Sequence, residues 1–219
     1  MRHFLAVPAL ILGLTLQAFG QTTSPACTGL CLQQVSCAGG KTTTISGTVY
    51  APNGVDPLPN VTVYIPNAPV DAFTPTVSCP VAGQAPSGSP LVGTTTNADG
   101  TFTLVNAPVG SNIPLVVVSG RWRRQVVIPG TVACADTPFP VNMPRNKAEG
   151  DIPRIAIATG SQDSVECVLR KVGLAESEFT NPLDPGRIHL YSGSFSPGAR
   201  IDATTPSENV LMGNLSVLN

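Results

Sequence analysis

Apolar and polar positions alternate with a period of two along much of the first half of this chain. Ile45, Gly47 and Val49 interleave with Ser46, Thr48 and Tyr50, and Val61, Val63 and Ile65 interleave with Thr62 and Tyr64. Phe102 and Leu104 share a face after Asn97-Ala98-Asp99-Gly100, and residues 113–118 are nearly all apolar. Period-two runs of β-branched residues predict half-buried strands, and a continuous apolar run predicts a strand covered on both sides. Turn signals separate the runs. Ala51-Pro52-Asn53-Gly54 combines a fixed φ with residues that tolerate positive φ, and Asp99-Gly100 between two strand-like runs predicts a hairpin. Residues 126–128 read as the last strand of this set.

In this order, ISGTV, PLPNVTVY, TTTNADGTFTL and PVG resemble the carboxypeptidase regulatory-like domain. That family is transthyretin-like (prealbumin-like), recurs in secreted bacterial proteins and is similar to the CnaB-type domains of surface proteins. The resemblance covers about the middle third of the chain. It implies an accessory module without catalytic groups. Ser111-Asn112-Ile113-Pro114-Leu115 departs from the family's usual continuation, and an insert over residues 68–90 lengthens one connection. The isopeptide crosslink of CnaB-type relatives is not expected, because the sandwich offers only Lys41, at its margin, and no glutamate.

Ahead of the strands, Arg2 followed by an apolar stretch from Phe4 to Leu16 and the small residues Ala18 and Gly20 reads as a secretory signal peptide, with cleavage expected after Gly20. Its apolar run is shorter than the roughly 20 residues that span a bilayer, and no membrane span is expected in the mature chain. In an exported chain the six cysteines, Cys27, Cys31, Cys37, Cys79, Cys134 and Cys167, read as disulfide candidates. The first three cannot all pair among themselves, so at least one must reach Cys79, Cys134 or Cys167. The N-terminal segment is therefore expected to be stapled to the sandwich. No CxxC pair and no nearby histidine supports a zinc site, and no metal or cofactor is expected.

Charge changes the picture near residue 140. Between residues 21 and 140 the charged residues are Lys41, Asp56, Asp71, Asp99, Arg121, Arg123, Arg124 and Asp136; residues 141–219 carry twice as many. The organisation expected is a signal peptide over residues 1–20, a Cys-rich segment over 21–43, the sandwich over 44–140, and a different regime over 141–219. That last part reads as strand (153–158), turn, helix (164–174), strand (187–191) and a further apolar helix over 209–218. Val165, Val168, Leu169 and Val172 supply the helix's apolar spacing, Ser161 or Asp163 its cap, and Gly173 its end. The fold class expected is mainly β: an immunoglobulin/transthyretin-like antiparallel β-sandwich followed by a short, incomplete α/β segment.

Candidate chemistry is sparse. Arg121-Trp122-Arg123-Arg124 is the densest positive cluster and holds the only tryptophan. It is a possible binding surface for an acidic glycan or a partner's carboxylates, with Trp122 as a stacking platform, or else a charged edge that deters aggregation. Alternation puts Arg121 and Arg123 on one face and Trp122 and Arg124 on the other. Asn97-Ala98-Asp99-Gly100 lacks the ligand set of a calcium loop. Thr159-Gly160-Ser161 lies where α/β folds bind ligands but carries no phosphate-loop pattern. His189, the one histidine outside the leader, reads as structural. Asn60 and Asn214 head glycosylation sequons. A net charge of −1 gives no nucleic-acid footprint.

The function expected is thus an exported, non-catalytic accessory module for structural contacts or for carbohydrate or protein binding at the cell envelope. The alternative is the front of an exported enzyme whose flavodoxin-like or glutamine-amidotransferase-like domain lies beyond residue 219.

Overall fold

The computed structural model describes residues 27–74, 85–195 and 197–213. The expected signal peptide, Cys79, the Asn214 sequon and the end of the last helix lie outside them. Two four-stranded sheets face each other, each built from the period-two runs. One has the order β4–β1–β7, with β8 also pairing β1: β1 is Thr44–Tyr50, β4 Thr101–Val105, β7 Asp136–Pro138 and β8 Val141–Asn142. The other runs β3–β2–β5–β6: β2 is Thr62–Pro66, β3 Pro90–Thr95, β5 Gly110–Ser119 and β6 Trp122–Thr131. Ile45, Val49, Phe102, Leu104 and Val141 from the first sheet meet Val63, Ile65, Ile113, Leu115, Val117 and Ile128 from the second in one buried core. The residues that alternation placed on one face are the residues that meet.

The chain is mainly β and the sandwich is antiparallel as expected through β1–β6, with β7 and β8 added parallel to β1. Two expectations about this half need correction. The Asn97–Gly100 turn is present, with the Asn97 N–H donating to the Thr101 carbonyl (2.8 Å), but it does not close a hairpin. β3 pairs β2 in one sheet while β4 pairs β1 in the other, so the turn carries the chain across the sandwich and lets Phe102 and Leu104 face the core from the opposite side. Residues 126–128 are the middle of a ten-residue strand rather than the last strand, and β7 and β8 follow it. Val141 and Met143, beyond the change in charge density, still pack in the sandwich core.

Gly47 is needed where β1 changes partner from β7 to β8. A Cβ there would overlap the Phe139 carbonyl, so only glycine lets the two backbones approach.

The second half forms a three-stranded parallel sheet in the order β10–β11–β9, with β9 at Ile155–Thr159, β10 at Phe179–Thr180 and β11 at Ile188–Ser192. Ile157, Leu174, Phe179, Ile188 and Leu190 make its core with Ile152. The connecting helix α1 (Val165–Val172) ends as expected at Gly173, whose φ of 102° is the left-handed cap. Its other end and its faces differ from expectation. Ser164 holds the N-cap position, and its side chain makes no capping bond. Val165 and Val168 are exposed, whereas Glu166 is buried (3%) and Leu169 packs on the core. The apolar spacing was real, but the helix is rotated so that only part of it faces the sheet. A short helix α2 (Glu208–Met212), capped by Ser207, closes the described chain.

The halves are locked by hydrogen bonds. The Asn53 N–H donates to the Val172 carbonyl (2.8 Å) at the end of α1. The buried Glu178 carboxylate accepts the N–H groups of Lys147 (2.9 Å) and Arg187 (3.1 Å). Trp122 packs against both cores. Disulfides Cys27–Cys31 and Cys37–Cys134 fasten the N-terminal segment, the second of them directly to the sandwich as expected. Cys167 is a correction: it lies exposed on α1 as a free thiol, its sulfur 3.9 Å from Glu166 Oε1. No described helix is long and apolar enough to cross a membrane.

Candidate functional site: a polar cleft beside the arginine cluster

The arginine cluster sits at the start of β6, the edge strand of its sheet, just after a tight turn at Gly120 and Arg121 that pairs Ser119 with Trp122. Strand alternation sends its side chains to two faces, as the sequence implies. On one face Arg121 donates to the Thr74 carbonyl, and Arg123 Nη1 donates to the Asp71 carbonyl (2.8 Å). Both guanidiniums lie over the Phe73 ring, at 5.2 and 4.2 Å from its centroid. Arg123 is 5% exposed and its Nε pairs with Asp151 at 2.8 Å, so these cations clamp the 71–74 loop.

On the other face the Trp122 indole N–H donates to the Pro144 carbonyl (3.3 Å). Half-buried between two cores, Trp122 is a strut, and the stacking-platform reading is corrected. Arg124 borders an open depression. It shares a cleft of about 260 Å³ with Pro52, Asn53, Asn142, Arg145 and Glu149.

Non-local pairing assembles this cleft. The register Tyr50↔Asn142 brings β8 beside the 51–54 turn. The Arg123↔Asp151 bridge holds residues 149–151 along β6. Asn53 is committed internally: its Oδ1 accepts the N–H groups of Val55 and Asp56, and its Nδ2 donates to Asp56 (2.6 Å) and to the Lys171 carbonyl (3.1 Å). Arg145 folds back on Glu149, donating from Nε (3.1 Å), Nη2 (3.0 Å) and its backbone N–H (3.0 Å). Partial burial pushes the Glu149 carboxyl up. The Arg145 hydrogen bonds and the charges of Arg145 and Arg124 outweigh that and hold it below the usual carboxylate value. Arg124 Nη1 donates to the Asn142 carbonyl (3.0 Å) and lies 4.0 Å from Glu149, which engages one of five guanidinium donors. The cleft therefore offers a cationic fork, an exposed amide and an ionised carboxylate, with no aromatic wall.

Of the binding candidates the sequence singled out, Arg124 alone lines this cleft, beside Pro52 and Asn53, which were read only as a turn. Asn142, Arg145 and Glu149 were missed, since nothing in their spacing connects them to residue 53 or 124. Thr159 is built over: its hydroxyl donates to the carbonyls of Tyr191 (3.1 Å) and Ala199 (2.8 Å). His189 is buried on β11 with Nε2 3.1 Å from the Gly186 carbonyl, and burial lowers its pKa. Among the described residues no cluster of His, Cys, Asp and Glu could hold a metal.

No family model and no curated protein matches the chain. Among solved structures, a chain of a mutant type II cohesin–X-dockerin complex from Acetivibrio cellulolyticus overlaps 60% of this chain and 86% of its own at 16% identity and a TM-score of 0.31. A 9R-lipoxygenase from Cyanothece PCC8801 overlaps 50% of this chain and 18% of its own, at 17% identity and a TM-score of 0.28. The dioxygenase domain of a dioxygenase–carbohydrate-binding protein fusion from Streptomyces sp. SirexAA-E overlaps 57% and 96%, at 20% and 0.24.

Proposed function

We propose that this chain is an exported, non-catalytic accessory module of the carboxypeptidase regulatory-like kind, which binds carbohydrate at the cell envelope through the polar cleft. The observation that carries the reading is the cleft itself. It is a concave site with mixed hydrogen-bonding character on a rigid sandwich edge, and at about 260 Å³ it is smaller than the roughly 300–1,000 Å³ pockets that take drug-sized ligands. Small polar units fit such a site. Two disulfides favour an oxidising compartment. His189, the one histidine among the described residues, is spent on a backbone carbonyl inside the second sheet, which favours a role other than acid–base catalysis.

The test is an array of envelope and extracellular polysaccharides probed with the intact, disulfide-bonded protein. Saturable retention on a subset, with no change in the glycan ends, is the expected result. No retention anywhere, or release of new reducing ends, would overturn the reading.

A second reading rests on a different observation. Among the described residues the outer edge of β9 is unpaired along Ile155–Ala158, and Ala156 and Ala158 on that strand and Val165 and Val168 on α1 are exposed. Such an edge favours a further strand and helix from additional chain, in which an enzymatic domain would lie. The reading frame after the Asn219 codon distinguishes the two: an in-frame continuation encoding strands and helices supports this reading, and an immediate stop in an intact gene removes it.

A further inference from the structure

The cleft's donors and acceptors do not match a neutral sugar or a simple anion equally well. Arg145 turns its Nε–Nη2 edge onto one oxygen of Glu149, at 3.1 and 3.0 Å, and keeps its Nη1 group. Arg124 keeps its Nε–Nη2 edge: its contact with Glu149 is 4.0 Å, outside hydrogen-bond range, and its side-chain bond, from Nη1, goes to a backbone carbonyl. Its remaining N–H groups form a planar fork of the kind that takes a carboxylate on two parallel hydrogen bonds. Around it stand groups of the other sort. The Asn142 side chain is exposed and can both donate and accept, and Glu149, ionised, is acceptor-only with lone pairs left over. Those suit hydroxyl groups. Two guanidiniums and one carboxylate line the cleft, and the Asp56 carboxylate stands behind Asn53 at 2.6 Å.

Resting on the carbohydrate-binding reading above, we propose that the cleft is a uronate subsite. Arg124 takes the sugar carboxylate, and Asn142 and Glu149 take its ring hydroxyls. A neutral hexose leaves the Arg124 fork unmatched, and a bare carboxylate leaves Asn142 and Glu149 unused, so neither alone fills the site. Arg145 is a positioning residue, holding Glu149 ionised and fixed.

The experiment is a backbone amide NMR titration of the intact protein with three probes: methyl glucuronide, methyl glucoside and acetate. The expected result is saturable shifts with methyl glucuronide, centred on Asn53, Arg124, Asn142, Arg145 and Glu149. Affinity should be at least about tenfold weaker for the other two probes, the scale of one lost charge-assisted pair. Arg124→Lys keeps the charge but removes the fork and weakens methyl glucuronide about tenfold. Asn142→Ala, at an exposed position, does the same without risk to the fold. Arg121→Lys, on the opposite face, changes nothing. Equal affinity for acetate and methyl glucuronide, shifts centred elsewhere, or no shifts would each overturn the subsite. Polysaccharide retention on the array that survives both cleft variants would overturn this proposal and move carbohydrate binding off the cleft, while leaving the exported, carbohydrate-binding accessory module standing. Loss of all retention in the wild type would remove that reading first.

Discussion

Removing the Cys37–Cys134 bond should cost far more than removing Cys27–Cys31, although both staple the same N-terminal segment. The perturbation is a pair of double variants, Cys37→Ala with Cys134→Ala and Cys27→Ala with Cys31→Ala, each carrying Cys79→Ser and Cys167→Ser so that no other cysteine can exchange. The first bond closes a sequence separation of 97 residues and the second a separation of 4. In the chain-entropy treatment these loops are worth about 4.7 and about 2 kcal/mol. Cys37 and Cys134 are both half-buried, so cavity formation adds little to that difference. The larger figure approaches the whole stability of many domains, about 5–15 kcal/mol. With a urea m-value of about 2–3 kcal/mol/M, the midpoint falls by roughly 1.5–2.5 M for the long-range pair and by about 1 M or less for the local one. Urea melts followed by far-UV circular dichroism measure both. Equal losses, or a larger loss for the Cys27 pair, would refute the loop-length reasoning and place the stabilisation in native contacts such as the Cys31 N–H to Asn67 (3.3 Å).

Four other outcomes follow from the packing. Asp151→Ala leaves the Arg123 guanidinium buried with its ion pair broken, and should cost about 2–3 kcal/mol, tempered by the half-exposed position of Asp151. In an Arg123→Met background the same change should cost almost nothing, and additivity within about 0.5 kcal/mol would show the pair to be uncoupled. Gly47→Ala should destabilise by about 1–3 kcal/mol through overlap with the Phe139 carbonyl, and a melting temperature equal to wild type would refute the close approach. His189 is held below the usual ~6.5 chiefly by burial, reinforced by the charge of Arg154 and opposed by the Gly186 carbonyl and Asp184. The unfolded chain therefore takes up the proton first, and stability falls as pH drops from about 6.5 toward the folded value. His189→Asn should flatten that slope, and an unchanged slope would assign it to other groups. Iodoacetamide should label Cys167 in the unreduced protein, and recovery of Cys167 in a disulfide-linked peptide would refute its assignment as a free thiol.

The strands were legible because a half-buried strand writes its burial in every second residue. Ile45 and Val49, Val63 and Ile65, and Phe102 and Leu104 all face the core they were assigned to. The two faces of the Arg121–Arg124 cluster were legible for the same reason. Glycine placement was legible where it ends α1, since a left-handed φ is a local demand. Periodicity carries no information about partners, and each correction is a matter of partners. β4 joins β1 rather than β3, and the turn chemistry at Asn97–Gly100 suits either choice. The parallel docking of β7 and β8 depended on Gly47 admitting the Phe139 backbone. The rotation of α1 depended on where the sheet's core lay, so Glu166 went in and Val165 stayed out.

The functional site divides in the same way. By itself the sequence determined a mainly β chain with scant acid–base equipment in its sandwich, stapled at its N-terminus, with one concentrated positive cluster. Only the tertiary structure decided what that cluster does. Arg121 and Arg123 are drawn onto a loop some fifty residues away, Trp122 is drawn between two cores, and Arg124 alone is left beside Asn142, Arg145 and Glu149. A side chain's chemistry is local, but its availability depends on which backbone carbonyls and charges the fold brings within about 3 Å of it, and those come from residues that the chain order keeps far apart.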